Sequence, residues 1–253
     1  MANVPHMLVM LLLQLAAARA VARAIPGDLP TSIAYLILEI GFPHGWIMVD
    51  AGMDRETARR AGDKGVFFDE AYASAVAALR AASLIVITHE HYDHAATVVQ
   101  SAGSDELAPH TMLTRQQVER LTHAPPLITM LDSTKVNRYI VVDYDHVLPI
   151  APGVVLIKAP GHTPGSQVIY VQLASGREVI LAGDVAWHRI GIETETQKPD
   201  SIREDRGPIA GELKWLHAAE QTGVAVVVSH DGDQLAMLER SGVLHQGLIR
   251  SER

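Results

Sequence analysis

Short apolar runs alternate with helical and turn segments along most of the chain. Ile33 to Ile40 and Trp46 to Val49 flank a turn rich in glycine and proline, and together they predict a β-hairpin. Residues 69–82 carry Ala, Val and Leu at helical spacing, and residues 84–87 follow as a continuous apolar strand. A helix that leads into a buried strand is typical of α/β layering.

The second half of the chain continues this alternation. Three short apolar runs predict strands: Val154–Lys158, Gln167–Leu173 and Glu178–Leu181. Residues 208–221 then predict a helix that leads into a strand at 224–228. Residues 103–135 are less regular, with a helix at 115–121, and we expect them to form a lid or a long connection.

Two pairs of strand ends resemble each other in sequence. Ile47–Asp50 resembles Ile180–Asp184, and Val86–His89 resembles Val227–His230. This echo predicts two related halves, each built as strand, helices and strand, whose sheets face each other. The four polar strand ends would then meet along one edge, where α/β proteins commonly keep their sites. Coincidence among short strands rich in Val and Ile is the alternative.

Three histidines and an aspartate crowd into the loop after the strand at 84–87. They are His89, His91, Asp93 and His94. Neutral imidazole offers a borderline-soft nitrogen and Asp adds a hard oxygen, so the set suits zinc or a similar transition ion. A polar turn with surface histidines is the alternative. Because the chain has no cysteine, every metal ligand in it must be His, Asp or Glu.

Three further polar residues follow apolar strands, namely His162, Asp184 and His230. A lone buried carboxylate is costly, so Asp184 needs a cation or a set of hydrogen-bond donors. Glycine and proline around His162 can fix a backbone path that aims the imidazole inward. An ordinary turn with an exposed histidine is the alternative for that residue.

Composition narrows the class of protein and of partner. The 253 residues are 48% hydrophobic and contain no low-complexity linker, which predicts one globular catalytic domain over residues 25–253. The net charge of −8 argues against a nucleic-acid partner, because phosphate binding depends on clusters of Lys and Arg. A small-molecule substrate is therefore expected, and the sequence leaves the oligomeric state open.

Residues 1–24 contain an apolar run, Met7 to Ala18, that ends in the small-x-small triplet at residues 18–20. This pattern predicts a signal peptide and export to the periplasm or the outside, although no Lys or Arg precedes the run. The run is shorter than the roughly 20 residues that a membrane span needs, so we expect no stable span. The alternative is an N-terminal helix packed on the body of a cytoplasmic protein.

The order of the polar residues resembles the metallo-β-lactamase superfamily. Its His-x-His-x-Asp-His signature matches residues 89–94, and His162, Asp184 and His230 match the later Gly-His-Thr-x-Gly, Gly-Asp and His positions. The resemblance implies a four-layer αββα sandwich of two mixed β-sheets with helices outside. It also implies two divalent metal ions, with Zn²⁺ preferred and iron, manganese or cobalt also accepted by these ligands.

The same resemblance implies a role for each position. The first metal would be held by His89, His91 and His162, the second by Asp93, His94 and His230, with Asp184 bridging them. Asp50 would orient either a ligand or the loop that carries the motif. A hydroxide that bridges the two metals would attack an electrophilic carbonyl, with Asp93 and Asp184 as the catalytic carboxylates.

The edges of the motif resemble those of N-acyl-homoserine lactonases. Residues 230–234 match their His-Asp-x-x-Gln ending, but Trp187 stands where those lactonases carry a tyrosine, and an indole N–H can only donate a hydrogen bond. Tyr92, Trp187 and His188 are candidates for a substrate pocket, and Leu127 and Met130 could extend its apolar wall. Aromatic and Met side chains that fill the core are the alternative.

These observations predict a dinuclear metal-dependent hydrolase that attacks a carbonyl ester or a lactone. One alternative is a metallo-β-lactamase or β-lactamase-like amidase of the cell envelope. A further alternative is a mononuclear iron oxygenase or a metal-binding protein without catalysis.

Overall fold

A long antiparallel pairing organises the first sheet. The computed structural model describes residues 4–18, 31–123 and 128–246. In it β1 (Met7–Ala18) pairs antiparallel with β2 (Thr31–Phe42), which pairs antiparallel with β3 (Gly45–Val49). The other strands of this sheet are β4 (Val66–Phe67), β5 (Leu84–Val86), β6 (Thr111–Thr114), β7 (Ile140–Val142) and β13 (His245–Gln246). Their order is β13-β1-β2-β3-β5-β6-β7, with β4 on β1.

The second sheet has the order β12-β11-β10-β9-β8. Its strands are β8 (Val147–Ala151), β9 (Val154–Lys158), β10 (Gln167–Gln172), β11 (Glu178–Leu181) and β12 (Ala225–Val227). β11 and β12 are parallel, and the other neighbours are antiparallel. The first sheet also contains parallel pairs, of β5 with β3 and with β6, so both sheets are mixed.

Helices connect the strands and cover the outer faces of the sheets. The α-helices are α1 (Arg55–Arg60), α2 (Asp69–Ala81), α3 (Tyr92–Val99), α4 (Ser104–Leu107), α5 (Arg115–His123), α6 (Arg189–Glu193), α7 (Arg206–Gln221) and α8 (Gly232–Arg240). Short 3-10 helices lie at Ala108–His110, Ser133–Arg138 and Gly183–Val185. In the described part of the chain, no helix has the length and hydropathy that a membrane crossing requires.

Three apolar clusters show how the layers stack. On β2, Ile37 packs with the helices that cover the first sheet, whereas its neighbour Leu36 packs between the two sheets. On β11, Leu181 joins the same core between the sheets, and Ile180 packs on the other side with Leu213 of α7. Alternate side chains of one strand therefore face different clusters, as the pleat of a strand requires. The predicted α/β sandwich of two mixed sheets with helices outside is confirmed.

The echo between the two halves has a structural counterpart. β3 pairs in parallel with β5, and β11 pairs in parallel with β12, with helices between the members of each pair. The carboxyl ends of these four strands carry Asp50, His89, Asp184 and His230. Parallel pairing brings both members of each pair to one edge of their sheet.

Two expectations from the sequence need correction. The N-terminal helix is wrong for residues 7–18, because β1 forms backbone pairs with β2 over almost its full length, from Met7 with Gly41 to Ala18 with Thr31. The lid or long connection is wrong for residues 104–123, because β6 joins the first sheet between β5 and β7 and α5 follows it directly. Export and the limits of the domain remain predictions.

Candidate metal centre

The loop after β5 brings the histidine motif to the edge of the first sheet. His89 follows the strand, His91 is the N-cap of α3, and Asp93 and His94 lie in the first turn of that helix. The short motif divides between two groups of ligand atoms, although the rings of His89 and His94 lie only 4.0 Å apart between their centroids. The helix start is what separates them.

The first group consists of His89, His91, His162 and Asp184, whose ligand atoms lie within 4.8 Å of one another. His91 Nδ1 is 3.1 Å from His89 Nε2 and 3.1 Å from His162 Nε2. Asp184 Oδ2 is 3.4 Å from His162 Nε2. Three imidazole nitrogens and one carboxylate oxygen thus point at one small volume.

The second group consists of Asp93, His94 and His230, again with ligand atoms within 4.8 Å of one another. Asp93 Oδ2 is 3.6 Å from both His94 Nε2 and His230 Nε2. The other oxygen of Asp184, Oδ1, is 3.1 Å from His230 Nε2 and 3.3 Å from His94 Nε2. Asp184 therefore presents one oxygen to each group.

The buried polar atoms of the site fit metal ions. In the described part of the chain, His94 Nε2 and Asp184 Oδ1 are buried and have no hydrogen-bond partner. Such orphaned atoms are costly in a protein interior. Imidazole nitrogen and carboxylate oxygen are the ligands that zinc and similar ions accept, so one cation in each group would satisfy them.

The charge states of the two groups differ in the metal-free protein. Burial lowers the pKa of His89, of His162 and of His91, which falls to about 4, so these rings are neutral near pH 7. Burial also opposes charge on His94 and His230, but nearby carboxylates outweigh it and raise the pKa of both. The first group is thus already in the form that binds metal, whereas metal must displace protons from the second.

The far nitrogens of three ligand rings are held by fixed acceptors. His94 Nδ1 is 2.7 Å from Asp50 Oδ2, and His230 Nδ1 is 2.7 Å from the carbonyl oxygen of Ala34. His162 Nδ1 is 2.7 Å from Glu204 Oε1. Such contacts fix a proton on Nδ1, so that Nε2 is the nitrogen that would bind a metal. Asp50 therefore lies where the resemblance placed it, behind a ligand.

Asp50 also ties the motif loop to the hairpin. Its backbone has a φ of +63°, a left-handed conformation that Asp tolerates better than most residues. This conformation lets the carboxylate accept hydrogen bonds from Thr88 N at 2.7 Å and from Thr88 Oγ1. One side chain thus fixes the start of the loop and the ring of His94 together.

The His-Asp-x-x-Gln ending fixes the position of His230. Asp231 caps α8 by accepting hydrogen bonds from the backbone N–H groups of Asp233 and Gln234. The amide of Gln234 accepts from Val228 N and donates to the carbonyl oxygen of Val226. These residues lock the end of β12 to α8 and so set the path of the chain at His230.

A cavity of about 420 Å³ opens onto the ligand groups. Tyr92 and Trp187, two of the candidate pocket residues, line it together with Tyr35, Ile202 and Arg203. The Trp187 indole donates a hydrogen bond of 2.6 Å to Asp184 Oδ2, so this N–H is already engaged by a ligand residue. Apart from the ligand residues, most of the surface that lines the cavity is apolar.

Two predicted pocket residues lie elsewhere. His188 is the N-cap of α6, where its ring accepts a hydrogen bond from Ile190 N, and it does not line the cavity. Met130 is 59% exposed and also lies outside the cavity, and Leu127 falls outside the described residues. The sequence shows whether these side chains are polar or apolar, but it does not show whether they face the cavity.

Lys198 and Glu204 were not anticipated from the sequence. Both lie in the polar segment between α6 and α7, where charged residues are normally solvated. The side chains are nevertheless 3% and 0% exposed, and Lys198 Nζ is 2.6 Å from Glu204 Oε1. No local sequence signal marks such a pair, because Glu204 contacts His162, which lies in another part of the chain.

Comparisons with known proteins show the family of the chain. A family model described as the metallo-beta-lactamase superfamily matches residues 31–230. An N-acyl homoserine lactonase from Bacillus sp is 27% identical over 113 residues, which is 44% of this chain and 41% of that protein. The N-acyl homoserine lactonase AiiA from Bacillus thuringiensis subsp. kurstaki is 26% identical over 113 residues, with the same shares covered. The match thus spans about two fifths of these relatives.

Solved structures show the same fold. A quorum-quenching N-acyl homoserine lactone lactonase has a TM-score of 0.71 at 18% identity, over 92% of this chain and 95% of that one. The dizinc quorum-quenching lactonase AidC has a TM-score of 0.59 at 14% identity, over 89% of this chain and 87% of that one. At such low identity, the likeness establishes the architecture alone.

Proposed function

We propose that this chain, which belongs to the metallo-beta-lactamase superfamily, is a dinuclear metal-dependent hydrolase that opens lactones or related carboxylic esters. The observation that carries the proposal is the position of Asp184. Its two oxygens face two separate groups of ligand atoms, one with three imidazoles and one with two imidazoles and Asp93. A single metal ion would leave one group of buried donor atoms without a partner.

The ligand types support hydrolysis as the reaction class. Two divalent ions held by these residues would supply an activated water molecule and a Lewis acid for a carbonyl oxygen. Asp93 is the ligand residue best placed to handle a proton, because its side chain is 12% exposed while that of Asp184 is 3% exposed. It lines the cavity and so can exchange a proton with substrate or water there.

The cavity supports a substrate with an apolar part. Its volume of about 420 Å³ lies within the range of small-molecule sites, and Ile33, Tyr35 and Ile202 give it apolar walls beside the ligand groups. The relatives named as N-acyl homoserine lactonases make an acylated lactone the first substrate class to test. Since the Trp187 indole donates to Asp184, a lactone ring would have to find its donor on another residue.

A β-lactam is the second candidate substrate, and one observation favours it. Arg203 lines the cavity, and no ion pair among the described residues includes its guanidinium group. β-Lactams carry a carboxylate, which a guanidinium can bind with two hydrogen bonds. Export to the cell envelope would agree with this substrate, and we propose export only together with the β-lactamase alternative.

A substrate panel on the zinc-loaded protein tests these proposals. The panel contains acyl-homoserine lactones of several chain lengths, a simple lactone, an aryl ester, a chromogenic cephalosporin and a phosphotriester. We expect turnover of lactones, measured by proton release. Turnover of the cephalosporin alone would contradict the lactone proposal, and Arg203→Ala should then raise its KM.

Two substitutions separate chemistry from folding in this panel. Asp184→Asn keeps the volume of the side chain but removes the charge shared by the two groups, so turnover should fall by several orders of magnitude. Asp145→Asn changes an exposed aspartate far from the motif residues in sequence and should leave turnover unchanged. Near-normal turnover by Asp184→Asn would contradict the proposed bridging role.

A further inference from the structure

A lysine is buried beside the first ligand group. Lys198 is buried, although it lies in the loop between α6 and α7. A buried ammonium group is costly unless it is paired and hydrogen-bonded. The contacts that offset this cost therefore indicate what the residue does.

The ammonium group of Lys198 has three oxygen partners. Nζ lies 2.6 Å from Glu204 Oε1, 2.5 Å from the carbonyl oxygen of Asp184 and 3.0 Å from that of Val185. These three contacts match the three N–H donors of an ammonium group. Nζ also lies 5.7 Å from the centre of the Trp187 ring, whose indole donates to Asp184 Oδ2.

Glu204 links Lys198 to the ring of a ligand, His162. Its Oε1 is the atom that lies 2.7 Å from His162 Nδ1, so one carboxylate oxygen meets both the ammonium group and the imidazole. The only other cation near Glu204 in the described chain is Arg206, whose Nη1 is 3.9 Å from Oε2. Lys198 is therefore the closer of the two cations that hold this carboxylate.

Two ligands from different strand ends thus depend on one cation. His162 comes from the loop between β9 and β10, and Asp184 from the end of β11. Lys198 contacts the backbone turn that carries Asp184 and, through Glu204, the ring of His162. Without this cation, the carboxylate of Glu204 would remain buried with a weaker partner, and the turn would lose two hydrogen bonds.

We propose that Lys198 is a positioning residue of the metal centre, which aligns His162 and Asp184 and thereby sets the metal affinity of the first ligand group. The inference rests on the proposed function, because it needs a metal centre. It goes beyond that function by assigning a role to the buried pair of Lys198 and Glu204.

Zinc titration against a chromophoric chelator tests the proposal. The proteins compared are wild type, Lys198→Met, Glu204→Gln and the double variant, with Lys214→Met on the exposed side of α7 as the control. Loss of a contact behind a metal ligand typically costs about 10–100-fold in affinity. We expect a loss of this size for one of the two zinc ions in each single variant, a smaller loss for the other ion in Lys198→Met because Asp184 faces both groups, and none in the control.

The double variant distinguishes a shared network from two separate effects. Since both residues act on the first ligand group through one contact, the losses of Lys198→Met and Glu204→Gln should not multiply. A double variant that loses the product of the two single losses would contradict the proposed chain of contacts. If Lys198→Met does not fold, Glu204→Gln alone carries the test.

Nitrogen-15 NMR of the histidine rings provides a readout that depends on position. In the wild type the His162 proton should reside on Nδ1, and in Glu204→Gln, whose amide N–H can donate to Nδ1, a larger share should move to Nε2. Unchanged zinc affinity together with an unchanged tautomer would overturn the inference alone. A wild-type chain that binds no zinc would overturn the proposed function as well, and equal loss of both zinc ions would indicate general disruption and also overturn the inference.

Discussion

Substitution of Asp50 by asparagine tests how the second ligand group is held. The carboxylate accepts from Thr88 N through Oδ1 and from His94 Nδ1 through Oδ2, at 2.7 Å in both cases. An asparagine side chain has one acceptor and one donor group, so it cannot accept both bonds at once. Either orientation of the amide places an N–H group against another N–H group.

The backbone gives no reason for Asp50→Asn to misfold. The φ of +63° at this position is one that asparagine adopts as readily as aspartate. The effect should therefore be confined to the hydrogen bonds. Loss of a buried hydrogen bond to a charged group costs about 1.5–3 kcal/mol, which we expect in the unfolding free energy of the metal-free protein.

The same substitution should weaken metal binding at the second group. If the His94 proton moves to Nε2, that nitrogen cannot bind metal until it is deprotonated. A loss of about 10–100-fold in affinity is expected for one metal ion, at about 1.4 kcal/mol for each factor of ten. The first group should retain its metal affinity, because its ligand His162 is held by Glu204 and not by Asp50.

Chelator competition and denaturant unfolding measure the two effects. Asp54→Asn is the matched control, because Asp54 caps α1 by accepting a hydrogen bond from Thr57 N, and asparagine caps helices about as well. Wild-type affinity for both metal ions in Asp50→Asn would refute the reasoning. So would an equal loss at both sites.

Three further predictions concern other parts of the fold. Burial raises the pKa of Glu212, so the unfolded chain releases this proton at lower pH than the folded chain does, and the free energy of unfolding falls as pH rises above about 4.3. Glu212→Gln keeps the acceptor for Gly161 N, so in urea unfolding its stability relative to wild type should increase as pH rises. Removing residues 1–20 takes away β1, which lies between β13 and β2, so the truncated chain should aggregate or unfold at lower urea, and cooperative wild-type unfolding would contradict this. Trp187→Phe removes a donor to Asp184 and should lower the metal-free unfolding free energy by about 1.5–3 kcal/mol, whereas an unchanged value would show that the bond contributes nothing.

The strands formed by short apolar runs between turn residues could be predicted from the sequence. The hairpin of β2 and β3 and the run of β9, β10 and β11 lie close to their predicted bounds, because alternate side chains face two different apolar layers. β1 was misjudged because a continuous apolar run has no period that separates strand from helix or signal peptide. β6 was missed because its four residues include two threonines, whose burial depends on contacts with Leu107 of α4 and Gln117 of α5.

In the candidate site, the residues that follow a local sequence pattern could be predicted, and those whose role depends on contacts with distant parts of the chain could not. The ordered motif positions could be found because polar residues directly after apolar strands are unusual, and the structure brings all seven together in two groups. Tyr35 lines the cavity and packs edge to face on His230 at 5.4 Å, but it reads as an ordinary strand residue. Lys198 and Glu204 likewise gain their role from contacts with His162 and Asp184 that no local pattern encodes.

The metal content of the purified protein tests the central claim most directly. Seven ligand residues in two groups that share Asp184 predict two zinc ions per chain after incubation with zinc and removal of the excess. In Asp184→Asn the stoichiometry or the affinity of both ions should fall, because both groups lose an anionic ligand. One ion per chain or none in the folded wild-type protein would contradict a dinuclear centre.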